Sequence, residues 1–194
     1  MRIGEIKRVT KETDIYVKIN LDGSGKTSIN TGIGFFDHML DAFGRHGFFD
    51  LTVEVKGDLD VDTHHTVEDV GIVIGQALKM AVGDKKGIVR YGSCTLPMDE
   101  TLMIAAVDFS GRSYYRSNIE YTVERIGGLE TETINEFFLA MANNADMNLH
   151  LHMLCGDNNH HIAEASFKAL TKAISMAVSK DPRITDVLST KGSL

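Results

Sequence analysis

Residues 64 to 68 read His-His-Thr-Val-Glu and residues 160 to 164 read His-His-Ile-Ala-Glu, so one chain carries the same His-His-x-x-Glu cluster twice. Neutral imidazoles and a carboxylate form a ligand set for borderline divalent metals. Successive helical side chains point about 100° apart, so His64 and His65 suit two ions better than one, while Glu68 can share a face with either. His160, His161 and Glu164 repeat this arrangement. Two such helices could supply two ions with imidazoles and a carboxylate each and leave positions open for a substrate. The HExxH pattern of zinc metalloproteases is absent.

The elements that must carry these residues repeat as well. The shift that lays His64 on His160 also lays Ala77-Leu78-Lys79-Met80-Ala81-Val82 on Ala173-Ile174-Ser175-Met176-Ala177-Val178. Apolar residues at helical spacing follow both clusters, which puts each cluster on the first turn of a long amphipathic helix. Before each cluster runs an alternating, strand-like stretch, Leu51 to Val55 and Met147 to Leu151. An earlier helix is expected from Phe35 to His46 and from Thr133 to Ala145. Before that, Asp22-Gly23-Ser24-Gly25 and Asp108-Phe109-Ser110-Gly111 read as β-hairpin turns. The expected fold is α+β, built from duplicated half-domains at 1–88 and 89–194 that together form one compact domain. Each half is a sheet covered on one face by two helices, and the halves pack helix layer to helix layer. Such a repeat also suits a symmetric oligomer.

Bulk properties narrow the function. The 194-residue chain is 43% apolar with a formal net charge of −7 and has no basic stripe, which argues against a nucleic-acid partner. No apolar stretch is long enough for a membrane span, and Met1-Arg2-Ile3-Gly4-Glu5 lacks a signal-peptide core, so a cytoplasmic protein without a membrane partner is expected. Cys94 and Cys155 have no CxxC spacing and read as reduced thiols. Two asymmetries stand out. His38 falls opposite Glu136 in the second half, and Glu12 and Lys191 have no evident counterparts.

Asp37-His38-Met39-Leu40, Asp62 to Asp69, Ser110-Gly111-Arg112, His160 to Lys168 and Ser189-Thr190-Lys191-Gly192, in this order, make the chain similar to the imidazoleglycerol-phosphate dehydratase family from about Arg8 to the C-terminus. Glu136 departs from family members that carry a metal-binding His there. The resemblance implies an Mn2+-dependent hydro-lyase of histidine biosynthesis that removes water from imidazole glycerol phosphate to give imidazole acetol phosphate. It implies two Mn2+ ions per active site, with His38, His65, Glu68 and His160 on one ion and His64, His161, Glu164 and Glu136 on the other. It also implies proton transfer by Glu12, substrate binding by Arg90, Arg112, Lys168, Ser189 and Lys191, and a large homo-oligomer with active sites between subunits. From local sequence alone, Glu12 and these cations would read as solvated surface charges. A metal-stapled shell protein without activity, or a metal-dependent lyase acting on another phosphorylated heterocycle, are the competing readings.

Overall fold

The computed structural model describes all residues 1–194. The first half runs β1 (Ile3–Val9), β2 (Thr13–Asn20), β3 (Thr27–Asn30), α1 (Gly34–Gly47), β4 (Asp50–Gly57) and α2 (His64–Val82). The second runs β5 (Tyr91–Met98), β6 (Thr101–Asp108), β7 (Tyr114–Ser117), a short hairpin of β8 (Arg125–Ile126) and β9 (Leu129–Glu130), α3 (Glu132–Asn144), β10 (Asn148–Cys155) and α4 (Asn159–Val178). The sheets have matching orders, β1-β2-β4-β3 and β5-β6-β10-β7. The α+β fold of two like halves expected from the sequence is therefore present, with the earlier helices and the strands close to their expected places.

Alternation decides which sheet face is buried. Ile15, Val17 and Ile19 of β2 and Leu51 and Val53 of β4 point into the core, as do Met103, Ala105 and Val107 of β6 and Leu149 and Leu151 of β10. Helix α2 covers β1 and β2, and α4 covers β5 and β6. Between the sheets, α2 packs on α3 and α1 on α4, so the helix layers of the two halves meet. One apolar core of 46 residues spans them.

The halves match position by position. Phe36, Met39, Leu40 and Phe43 of α1 are buried, as are Ile134, Phe137, Phe138 and Met141 of α3. That register puts Glu136 at the place of His38. Val67, Val70, Ile74 and Ala77 of α2 are matched by buried Ala163, Ser166, Leu170 and Ala173 of α4. A Cβ on Gly4 would lie 1.8 Å from the Ala77 carbonyl oxygen, and one on Gly92 would lie 1.9 Å from that of Ala173. The same strand therefore approaches the same helix turn in both halves.

The expected hairpins at Asp22 to Gly25 and Asp108 to Gly111 are corrected. Strand β4 lies between β2 and β3, and β10 lies between β6 and β7, so each of these turns is a crossover leading to a strand that pairs in parallel. The side chain at the start of the middle strand holds each crossover. Asp50 Oδ1 accepts from the Ser24 and Lys26 N–H groups at 2.8 and 3.0 Å, and Asn148 Nδ2 donates to the Arg112 carbonyl at 2.5 Å. The hairpins are instead β1–β2 and β5–β6, joined by tight turns at Thr10 to Glu12 and at Asp99 and Glu100.

Candidate metal centre and anion pocket

Each His pair opens its helix beside a side chain that accepts from its backbone, the N-cap Asn158 in α4 and Asp62, just before the cap, in α2. Asn158 accepts from the His160 and His161 N–H groups at 2.9 and 3.3 Å, and Asp62 accepts from the His64 N–H at 2.8 Å. Packing of α1 on α4 then brings residues of both halves together. His38 Nε2 lies 3.5 Å, and His160 Nε2 3.1 Å, from Glu164 Oε2. Ligand atoms of these three residues all fall within 4.8 Å of one another, a spacing that one divalent ion can bridge. The other Glu164 oxygen takes Lys168 Nζ at 2.5 Å, one turn along α4. Burial pushes the Glu164 carboxyl pKa up, but Lys168, His38 and His160 together outweigh it and hold the group below its usual range. It stays an anion, the form in which a carboxylate can hold a metal. Within one chain, Glu164 thus stands with His38 and His160.

The remaining histidines form separate groups. His64 Nε2 lies 3.5 Å from Glu68. His65 Nδ1 meets Asp58 Oδ2 at 2.9 Å, and its Nε2 lies 4.0 Å from Glu12 Oε1. His161 Nδ1 meets Glu100 Oε2 at 2.8 Å. Hydrogen bonds donated to Asp58 and Glu100 raise the pKa values of His65 and His161 respectively, and His161 lowers that of Glu100 to about 2. Glu136, although at the place of His38, forms no ion pair or hydrogen bond with His64 or Glu68. Sequence reasoning missed Asp58 and Glu100. It also gave Glu12 no counterpart, and this is corrected: Glu12 and Glu100 each precede the buried Thr, Thr13 or Thr101, that opens the second strand of its hairpin.

Four of the five expected substrate-binding residues gather elsewhere. Arg90, Arg112, Ser189 and Lys191 line a cavity of about 840 Å3 with Tyr91 and Leu194. Arg90 is nearly buried, and its Nε and Nη2 donate to Asp108 at 2.7 and 3.1 Å while Nη1 donates to the Leu188 carbonyl at 2.8 Å. Its guanidinium therefore secures the tail with three of its five N–H groups, and Arg112, Lys191 and the Ser189 hydroxyl line the same cavity. The Arg90 N–H bonds the Ala177 carbonyl near the end of α4, whereas the histidines open that helix. The pocket and the clusters of one chain are thus separated by roughly 25 Å.

Fold and site define a class: an α+β protein of two like halves, with metal-suited His/Glu groups at its helix starts and an anion pocket at the opposite end. A profile of the imidazoleglycerol-phosphate dehydratase family matches residues 31–174, and the chain belongs to that family. It is 57% identical over 193 residues to the imidazoleglycerol-phosphate dehydratase of Lachnoclostridium phytofermentans, covering 100% of this chain and 98% of the relative. It is 56% identical over 194 residues to that of Caldanaerobacter subterraneus, covering all of both chains. The solved Staphylococcus aureus enzyme superposes with a TM-score of 0.84 at 40% identity, covering 92% of this chain and 99% of that one. The Pyrococcus furiosus enzyme gives 0.85 at 34%, covering 97% and 100%.

Proposed function

We propose that the His/Glu groups hold two Mn2+ ions per active site, and that the dehydration runs between them and the anion pocket. Family membership makes the protein a dehydratase of histidine biosynthesis, acting on a small phosphorylated imidazole. The observation that carries the metal reading is the convergence of His38, His160 and Glu164 from two helices of different halves. The His38 and His160 side chains remain 50% and 46% exposed, which leaves room for a substrate beside the ligands and disfavours a closed structural staple.

When bound, the ions supply Lewis acidity towards the imidazole ring and fix its orientation. Lys168 holds the ligand carboxylate of Glu164. Glu12 has no hydrogen-bond partner on its carboxylate and lies by the outward nitrogen of His65, so it can take the proton from the carbon next to the departing hydroxyl. Arg112, Lys191 and Ser189 bind the phosphate, with Arg90 keeping their segment in place. Because the pocket and clusters of one chain lie far apart, a complete site takes its halves from different copies in a homo-oligomer. The test is to strip the purified protein of metal, restore Mn2+ and assay formation of imidazole acetol phosphate. Activity should disappear and return, whereas full turnover without metal would refute the reading.

A further inference from the structure

The two His-His clusters have equivalent positions, but the carboxylates that touch them do not. A Cβ on Gly57 would lie 2.0 Å from Thr66 Oγ1, and one on Gly156 would lie 3.2 Å from Ile162, the residue at the place of Thr66 in α4. These glycines correspond, so Asp58 corresponds to Asp157. Residues 58 to 63 connect β4 to α2, and this longer loop folds the Asp58 carboxylate onto His65 Nδ1 at 2.9 Å. The connection from β10 to α4 is shorter, residues 156 to 158. There Asp157 turns its backbone N–H towards Glu100 Oε1 at 3.4 Å, Asn158 adds its own at 2.9 Å, and Glu100 holds His161 Nδ1.

We infer that Asp58 and Glu100 are the positioning residues of His65 and His161, each fixing Nδ1 so that Nε2 faces the metal, and that Asp58 frees Glu12, the counterpart of Glu100, for proton transfer. A ring nitrogen tied to a carboxylate fixes the tautomer and orientation of the opposite nitrogen, and loss of such a partner typically weakens metal binding 10–100-fold. Glu100 is spent in this way. Glu12 lies by Nε2 at 4.0 Å, on the side where a ligand would bind.

The inference rests on the metal reading of the clusters, and Mn2+ titration of the stripped full-length protein separates the two. Failure of the parent protein to bind Mn2+ would overturn the metal reading itself. If the parent binds, Asp58→Ala and Glu100→Ala should each lower Mn2+ affinity roughly 10–100-fold. Asp58→Asn and Glu100→Gln keep an acceptor oxygen and should recover most of that loss, which separates orientation from a general effect on folding. Glu12→Ala should bind Mn2+ like the parent. Unchanged affinity in both alanine variants, or amide variants as weak as the alanine ones, would overturn the positioning role. A Glu12→Ala loss equal to that of Glu100→Ala would overturn the division of labour.

Discussion

Glu12 and Glu100 stand on the same turn of their respective halves, and what separates them is whether another carboxylate has already taken Nδ1. Glu100 bonds His161, the Thr101 hydroxyl and two backbone N–H groups, whereas the Glu12 side chain is 54% exposed and its carboxylate accepts no hydrogen bond. A carboxylate held by four donors is a poor base, because each bond stabilises its charged form. A free one beside a substrate site can exchange a proton. Steady-state kinetics of Glu12→Gln should show kcat lowered by about 10²–10⁴-fold, the usual contribution of one acid–base group, with little change in KM. A change confined to KM would make Glu12 a binding residue. Arg90 offers a contrast at the same scale. Local sequence reads it as a solvated surface charge and only the family resemblance implies substrate binding, whereas in the structure it is nearly buried in the pocket wall and bonds Asp108 and the carbonyl of Leu188 in the tail.

Among the elements, close backbone approach is what lets a strand lie against each long helix, and it recurs in both halves. Gly4 meets the Ala77 carbonyl and Gly92 that of Ala173, with no space for a methyl group. Gly4→Ala and Gly92→Ala should therefore each cost at least the roughly 1–3 kcal/mol typical of overpacking, since the obstacle is backbone and not a movable side chain. Gly34→Ala, at the start of α1 with nothing within 4 Å of its Cβ, should stay within about 0.5 kcal/mol. Denaturant midpoints of the three variants check this, and equal losses in all three would reject the steric account. Much at this scale was legible in the sequence, because burial of α2 and α4 follows the 3.6-residue period and the two helices align without a gap. The crossovers were not legible. An Asp-Ser-Gly turn looks the same whether its next strand pairs back on the last or lies beyond a third, and the choice depends on Asp50 and Asn148, which arrive later in the chain. The kinship of Glu12 and Glu100 was hidden because the halves differ in connection length between their hairpins and their clusters, so a shift that aligns the helices misaligns the turns.

For the whole molecule, the distance along α4 is the controlling fact. The His/Glu cluster sits at its first turn and the Arg90/Arg112/Lys191 pocket beyond its last, at a separation no small phosphorylated imidazole can span. Under the proposed homo-oligomer, a site that uses both draws them from different copies of the chain, and symmetry would give every copy the same part in a shared site. This makes activity in mixtures predictable. His160→Ala removes a proposed cluster ligand, and Arg112→Ala together with Lys191→Ala removes the two pocket cations not tied to Asp108; each protein alone should be inactive. Unfolded together and refolded at equal amounts, they should, under the proposed homo-oligomer, form mixed assemblies in which roughly a quarter of two-chain sites pair an intact cluster with an intact pocket. Turnover should return to about that fraction of the parent's, read in the same dehydration assay. Were each site contained in a single chain, no mixture of the two could contain an intact one, and the activity would stay at the level of the separate variants.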